Sequence, residues 1–255
     1  MLFRTHDIAG MHTRRRAAFV NSLSGFKSAN LVGTVNDARN TNLAVMSSAV
    51  HLGSSPPLLA LVIRPGAEER HTLANILAAG CYSINHVTAG IIEAGHQTAA
   101  RYPAEVSEFT ATGLTPVWVE GFNAPLVAEA GVRLGLELRE HQELSINGTH
   151  LVIGEVVLAD LEASWLRRDG QVDLERAGSV ALSGLDTYHR GQPIKRMAYA
   201  KPDLPPRALE LFEPQQKLDE YSTAEACAAV PPDGDNASGQ DVNGARHVAK
   251  PGGTQ

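Results

Sequence analysis

The sequence predicts a mainly β protein in which antiparallel strands close into a barrel, with helices inserted between them. Three observations carry this. Leu134, Leu136 and Leu138 alternate with other residues from Arg133 to Arg139, the period of a half-buried strand. Asn147-Gly148 then turns the chain into HLVIGEVVLAD, a second strand rich in β-branched residues, so the two form a hairpin. Helical stretches fall irregularly among the strands, and no G-x-G-x-x-G follows any of them, which argues against a doubly wound nucleotide-binding sheet.

The elements follow in order. Residues 1–18 read as an irregular arm, with a polar, Gly-bearing loop from Ser22 to Ser28. Turn chemistry is the first reading of Asn21, Ser24 and Lys27, and a place in a pocket lining is the second. A strand near Leu31 to Val35 precedes the polar turn Asn40-Thr41-Asn42, which leads into an apolar run ending in the adjacent hydroxyls Ser47 and Ser48. Pro56-Pro57 breaks the chain before the apolar strand Leu58 to Ile63, which stops at Arg64-Pro65. Arg70-His71-Thr72 then comes before LANILAAG, where Leu73, Ile76 and Leu77 recur at helical spacing and Gly80 suits a C′ position. Thr72 is placed to cap that helix. CYSINHV forms a short strand, AGIIEAGHQTAARYPAEVSEF two short helices broken at Pro103, and the stretch after Trp165 a turn and a short helix.

Composition bounds the partners. Of the net charge of −6, −4 lies from Glu213 to Gln255, where seven acidic residues face three basic ones. The remainder is nearly balanced, which argues against nucleic acid as a partner. MLFRTHDIAG lacks an apolar signal region and no long apolar span occurs, so the expectation is a cytoplasmic protein with no membrane partner; Cys81 and Cys227, far apart, fit a reducing compartment. Residues 213–255 are rich in Pro, Gly, Asp, Asn and Ala and lose apolar periodicity, the composition of a disordered polar tail. Histidines lack ligand spacing, and no hydrolase, zinc-protease or Cys-x-x-Cys motif is present, so no metal site is expected. Hydroxyls, a guanidinium and a helix start brought together between Thr34 and Thr72 suit a phosphate monoester.

The order of these segments resembles the flavin reductase-like family of FMN-binding split barrels, of which flavoredoxins are part. The matching residues are Asn42-Leu43-Ala44-Val45-Met46-Ser47-Ser48, then Pro56-Pro57, then Arg70-His71-Thr72 followed by Asn75-Ile76. His96 to Ala100, Glu108-Phe109 and Gly113-Leu114-Thr115-Pro116 match the family's helical excursion, and Ser183-Gly184-Leu185-Asp186-Thr187-Tyr188-His189 its closing "SGLDxYY" segment, with His189 as the departure. The resemblance covers roughly Phe19 to Pro202 and implies a Greek-key-type split barrel over residues 19–212. It implies that an FMN phosphate meets Ser47, Ser48, Arg70 and Thr72. Arg64 is either a second guanidinium or an exposed strand end, and the His71 imidazole either assists or points outward. The Thr41, Asn42 and Leu43 backbone would face the ring's polar edge, and His96 would neighbour the ring. The implied activity is that of an NAD(P)H:flavin reductase or a flavoredoxin-like electron-transfer protein. NADH or NADPH would be the donor, and a small molecule or a partner oxygenase the acceptor. A non-enzymatic FMN carrier and an FMN oxidase acting directly on a small substrate are the alternatives. The resemblance also implies a homodimer whose flavin sites lie at the subunit interface.

Overall fold

The computed structural model of the chain describes residues 1–66 and 71–211. The predicted tail, 213–255, and Arg70 lie outside the described residues. Two N-terminal helices, α1 (Thr5–Ala9) and α2 (Thr13–Leu23), stand where the sequence reads as an irregular arm and loop. The difference has a physical cause: α2 buries no residue, so no apolar periodicity marks it. Then come the short strand β1 (Lys27–Ser28), the hairpin β2 (Asn30–Val35) and β3 (Thr41–Met46), and the hairpin β4 (Ala49–Ser54) and β5 (Pro57–Ile63). Helix α3 (His71–Ala79) ends at Gly80, whose φ of 69° is the left-handed conformation glycine adopts freely. Strand β6 (Cys81–His86) leads to α4 (Ile92–Gln97) and α5 (Glu108–Thr112), which flank Pro103. A small ribbon of β7 (Pro116–Val117) and β8 (Leu126–Val127) precedes the long hairpin of β9 (Arg133–Leu144) and β10 (Thr149–Asp160). The helix expected after Trp165 is a series of turns instead. Strands β11 (Val180–Ser183) and β12 (Thr187–Arg190) close the domain with β1, and β13 (Arg196–Met197) pairs with β14 (Ala208–Leu209).

Seven strands form one antiparallel sheet in the order β3-β2-β6-β9-β10-β5-β4. Laid flat, its edges would lie about 29 Å apart at ~4.8 Å per gap. The two edge strands are nevertheless consecutive in the chain, joined only by Ser47 and Ser48, which reach about 11 Å at most. The sheet therefore curls on itself, and Val62 N–H, donating to Ser48 O (3.3 Å), extends the β4–β5 pairing into that connection. This is the antiparallel split barrel expected from the sequence.

Both faces of β2 are buried, because successive side chains enter different cores. Val32 points into the barrel with Leu61, Ile63, Tyr82, Ile84, Leu136 and Val152, and α3 contributes Leu73 and Ile76 to that cluster. Leu134 and Leu138 pack against it, as their alternation predicts. Leu31 points outward, to a second core made with Leu43, Val87, Ile91, Phe109, Val180 and Leu182. That outer core holds the α4–α5 excursion and the β11–β12 hairpin against the barrel wall, and the cleft described next opens between these layers.

Candidate functional site

The seam where the barrel closes is also the floor of a large cleft. Its volume of about 1120 Å³ exceeds the roughly 300–1,000 Å³ of a typical small-molecule pocket. Ser47 and Ser48 lie in this floor. Ser48 Oγ donates to Val62 O (2.7 Å), so it ties the β3–β4 connection to β5, whereas Ser47 makes no side-chain hydrogen bond among the described residues. Arg64, exposed just past the end of β5, and His71 and Thr72, at the start of α3, form one wall. Thr72 Oγ1 accepts from Asn42 Nδ2 (3.0 Å); Asn42 and Asn75 both donate to Thr34 Oγ1 (3.1 Å each). This buried network ties α3 to the β2–β3 hairpin.

The opposite wall is the α4–α5 excursion, which satisfies the outer edge of β3. Val45 N–H donates to Thr98 Oγ1 (2.8 Å), Leu43 N–H donates to Glu108 Oε2 (2.9 Å), and Thr41 Oγ1 shares a hydrogen bond with Ser107 Oγ (2.6 Å). An exposed strand edge would otherwise offer these groups for pairing with another chain. The end wall comes from α2 and the β11–β12 hairpin. Lys27 Nζ donates to Asn21 O (3.1 Å) and Gly184 O (2.9 Å), joining the two elements. Tyr188 OH lies 3.1 Å from His96 Nδ1, and burial pushes the phenol pKa up, so its proton stays in place to be donated.

Asn42, Ser47, Ser48, Arg64, His71, Thr72 and His96, singled out from the sequence, all line this one cleft. Thr41 and Leu43 do not. Leu43 N–H, expected to face a ring edge, is committed to Glu108, and the Leu43 side chain is buried in the outer core. Thr72 is not a cap: α3 begins at His71, so Thr72 sits inside the first turn. Asn21, Ser24 and Lys27 line the cleft, the second of their two sequence readings. Thr98 and Glu108 went unassigned, because each finds its partner more than fifty residues away along the chain. Glu108 is the one acidic side chain among the described lining residues, against Lys27, Arg64 and Arg101. The cleft therefore favours an anion.

The family model described as "Flavin reductase like domain" matches residues 23–170, more than half of the chain. The chain belongs to this family. The cleft residues from Ser24 to Glu108 fall within the matched span, while Tyr188 lies beyond it. A candidate flavin reductase with a split barrel domain from Shewanella frigidimarina NCIMB 400 is 49% identical, with a TM-score of 0.76 over 78% of this chain and 100% of that one. The protein YwrF of Bacillus subtilis (strain 168) is 31% identical over 160 residues, covering 61% of this chain and 72% of the relative. Flavoredoxin of Desulfovibrio vulgaris (Miyazaki F) has a TM-score of 0.61 over 80% of this flavin reductase-like chain and 98% of its own, at 23% identity, a likeness of fold.

Proposed function

We propose that the chain is an FMN-dependent oxidoreductase, taking electrons from NADH or NADPH and passing them to a small molecule or a partner oxygenase. The observation that carries the reading is the joining of Ser47, Arg64 and the start of α3 in one cleft with a cationic excess. Ser47 brings a hydroxyl with no protein partner among the described residues, Arg64 a guanidinium, and His71 and Thr72 open a nine-residue helix with its N–H groups. A terminal phosphate fits that donor set. Bound FMN would supply the hydride and electron chemistry that no side chain here performs.

The chain's own residues bind, orient and exclude. Arg64 and Ser47 fix the phosphate end by charge and hydrogen bond. The α4–α5 wall, held by Thr98 and Glu108, keeps β3 from moving away from the ligand. Val45 and Met46 add apolar side chains to the cleft lining. The cleft is larger than one small ligand needs, which leaves room for a second beside the first.

We further propose a homodimer. Val50 and Leu52, about half exposed, stand on the edge strand β4, and Val50 also lines the cleft, so a second subunit placed there would cover apolar surface and the site together. The test of function is anaerobic mixing of the FMN-loaded protein with NADH and with NADPH. Bleaching of the flavin absorbance within seconds, restored by oxygen, is the expected result. No bleaching by either over minutes would leave only a flavin carrier.

A further inference from the structure

The cleft holds one group that anion binding leaves unused. Glu108 is 7% exposed, yet it carries a carboxylate into a site whose other described lining residues are cations and neutral residues. Burying such a group without partners is costly, and most buried acids spend both oxygens on the protein. Glu108 spends one. Oε2 accepts Leu43 N–H at 2.9 Å, whereas Oε1 has no hydrogen-bond partner among the described residues, and Glu108 belongs to the cleft lining. The helix that carries it is held by Phe109 in the outer core, and Ser107 just before it shares a hydrogen bond with Thr41 (2.6 Å). The open oxygen is thus an acceptor free to take a donor from a ligand in place of water.

We propose that Glu108 reads the imide edge of the flavin, Oε1 accepting the ring N3–H; this rests on the FMN reading above. The placement supports a flavin rather than a second ligand. Leu43 and Ser47 lie on one strand and its immediate continuation, about 13 Å apart along the chain, the scale of a flavin mononucleotide from phosphate to pyrimidine edge. Ser47 and Arg64 thus offer a hydroxyl and a cation for the phosphate, and Glu108 on the opposite wall an acceptor for the imide. The two ends together set the direction in which the ring lies.

The test measures equilibrium binding of FMN and of 3-methyl-FMN, in which the donor is replaced by a methyl group, to the wild-type protein and to Glu108→Gln. Gln retains an oxygen for Leu43 N–H and turns an amide donor toward the cleft, so circular dichroism and melting temperature should match the wild type. Wild-type protein should bind FMN about tenfold to a hundredfold more tightly than 3-methyl-FMN, the range of a hydrogen bond to a charged group. In Glu108→Gln, FMN affinity should fall by a similar factor and the discrimination should shrink. Equal binding of the two flavins by wild type, which needs no variant to fold, would overturn the proposal. Equal discrimination in both proteins would do the same. Undiminished FMN binding by Glu108→Gln with a raised KM for NADH would assign the acceptor to the other ligand and also overturn it. Absence of FMN binding by wild type would instead overturn the functional reading, and this inference with it.

Discussion

Ser47 and Ser48 are neighbours in sequence with opposite structural duties, and substitution should separate them. Ser48 Oγ donates to Val62 O on β5, so Ser48→Ala should cost about 1 kcal/mol of stability. Ser47 has no such partner, so Ser47→Ala should leave the denaturation midpoint unchanged while weakening FMN binding several-fold. Urea denaturation and flavin-fluorescence titration of the pair check both. His86 gives a pH-dependent case. Burial holds its pKa below the ordinary 6.5, so as pH falls the unfolded chain takes up the proton first. Stability should then be lost from about pH 6.5 downward until the folded imidazole also titrates, and His86→Gln should flatten that slope. At this scale the sequence was legible only where chemistry was local. Ser47, Arg64, His71 and Thr72 stand close enough in the chain to read as one site, whereas Glu108 serves a backbone N–H of Leu43, a partner no local pattern reveals.

The elements were legible in proportion to how regularly they bury side chains. Strand β9 alternates and was visible; α2 buries nothing and was not. Strand β2 depends on a glycine for a reason found only in three dimensions. A Cβ at Gly33 would collide with the Pro125 carbonyl oxygen and would lie 2.5 Å from Ser83 Oγ. Neither backbone nor buried hydroxyl can yield, so Gly33→Ala should destabilise by about 1–3 kcal/mol, measured as a lower urea midpoint at constant m-value. Because β2 pairs directly with β3, the same variant should also loosen the cleft floor. A parallel fall in FMN affinity would report this.

For the whole molecule, the cleft and the exposed apolar residues of β4 share Val50, so the proposed dimer would couple assembly to binding. Sedimentation at micromolar concentration should show a dimer, and Val50→Glu should yield monomers that bind FMN more weakly. A monomeric wild type with undiminished affinity would refute the shared site. Among the described residues no helix is long and apolar enough to cross a membrane. The most direct measurement of the central claim is titration of the purified protein with FMN and with FAD, followed by flavin fluorescence. One FMN per subunit should bind, more tightly than FAD, and Arg64→Ala should weaken it. Failure to bind FMN, or tight binding of FAD without FMN, would contradict the account.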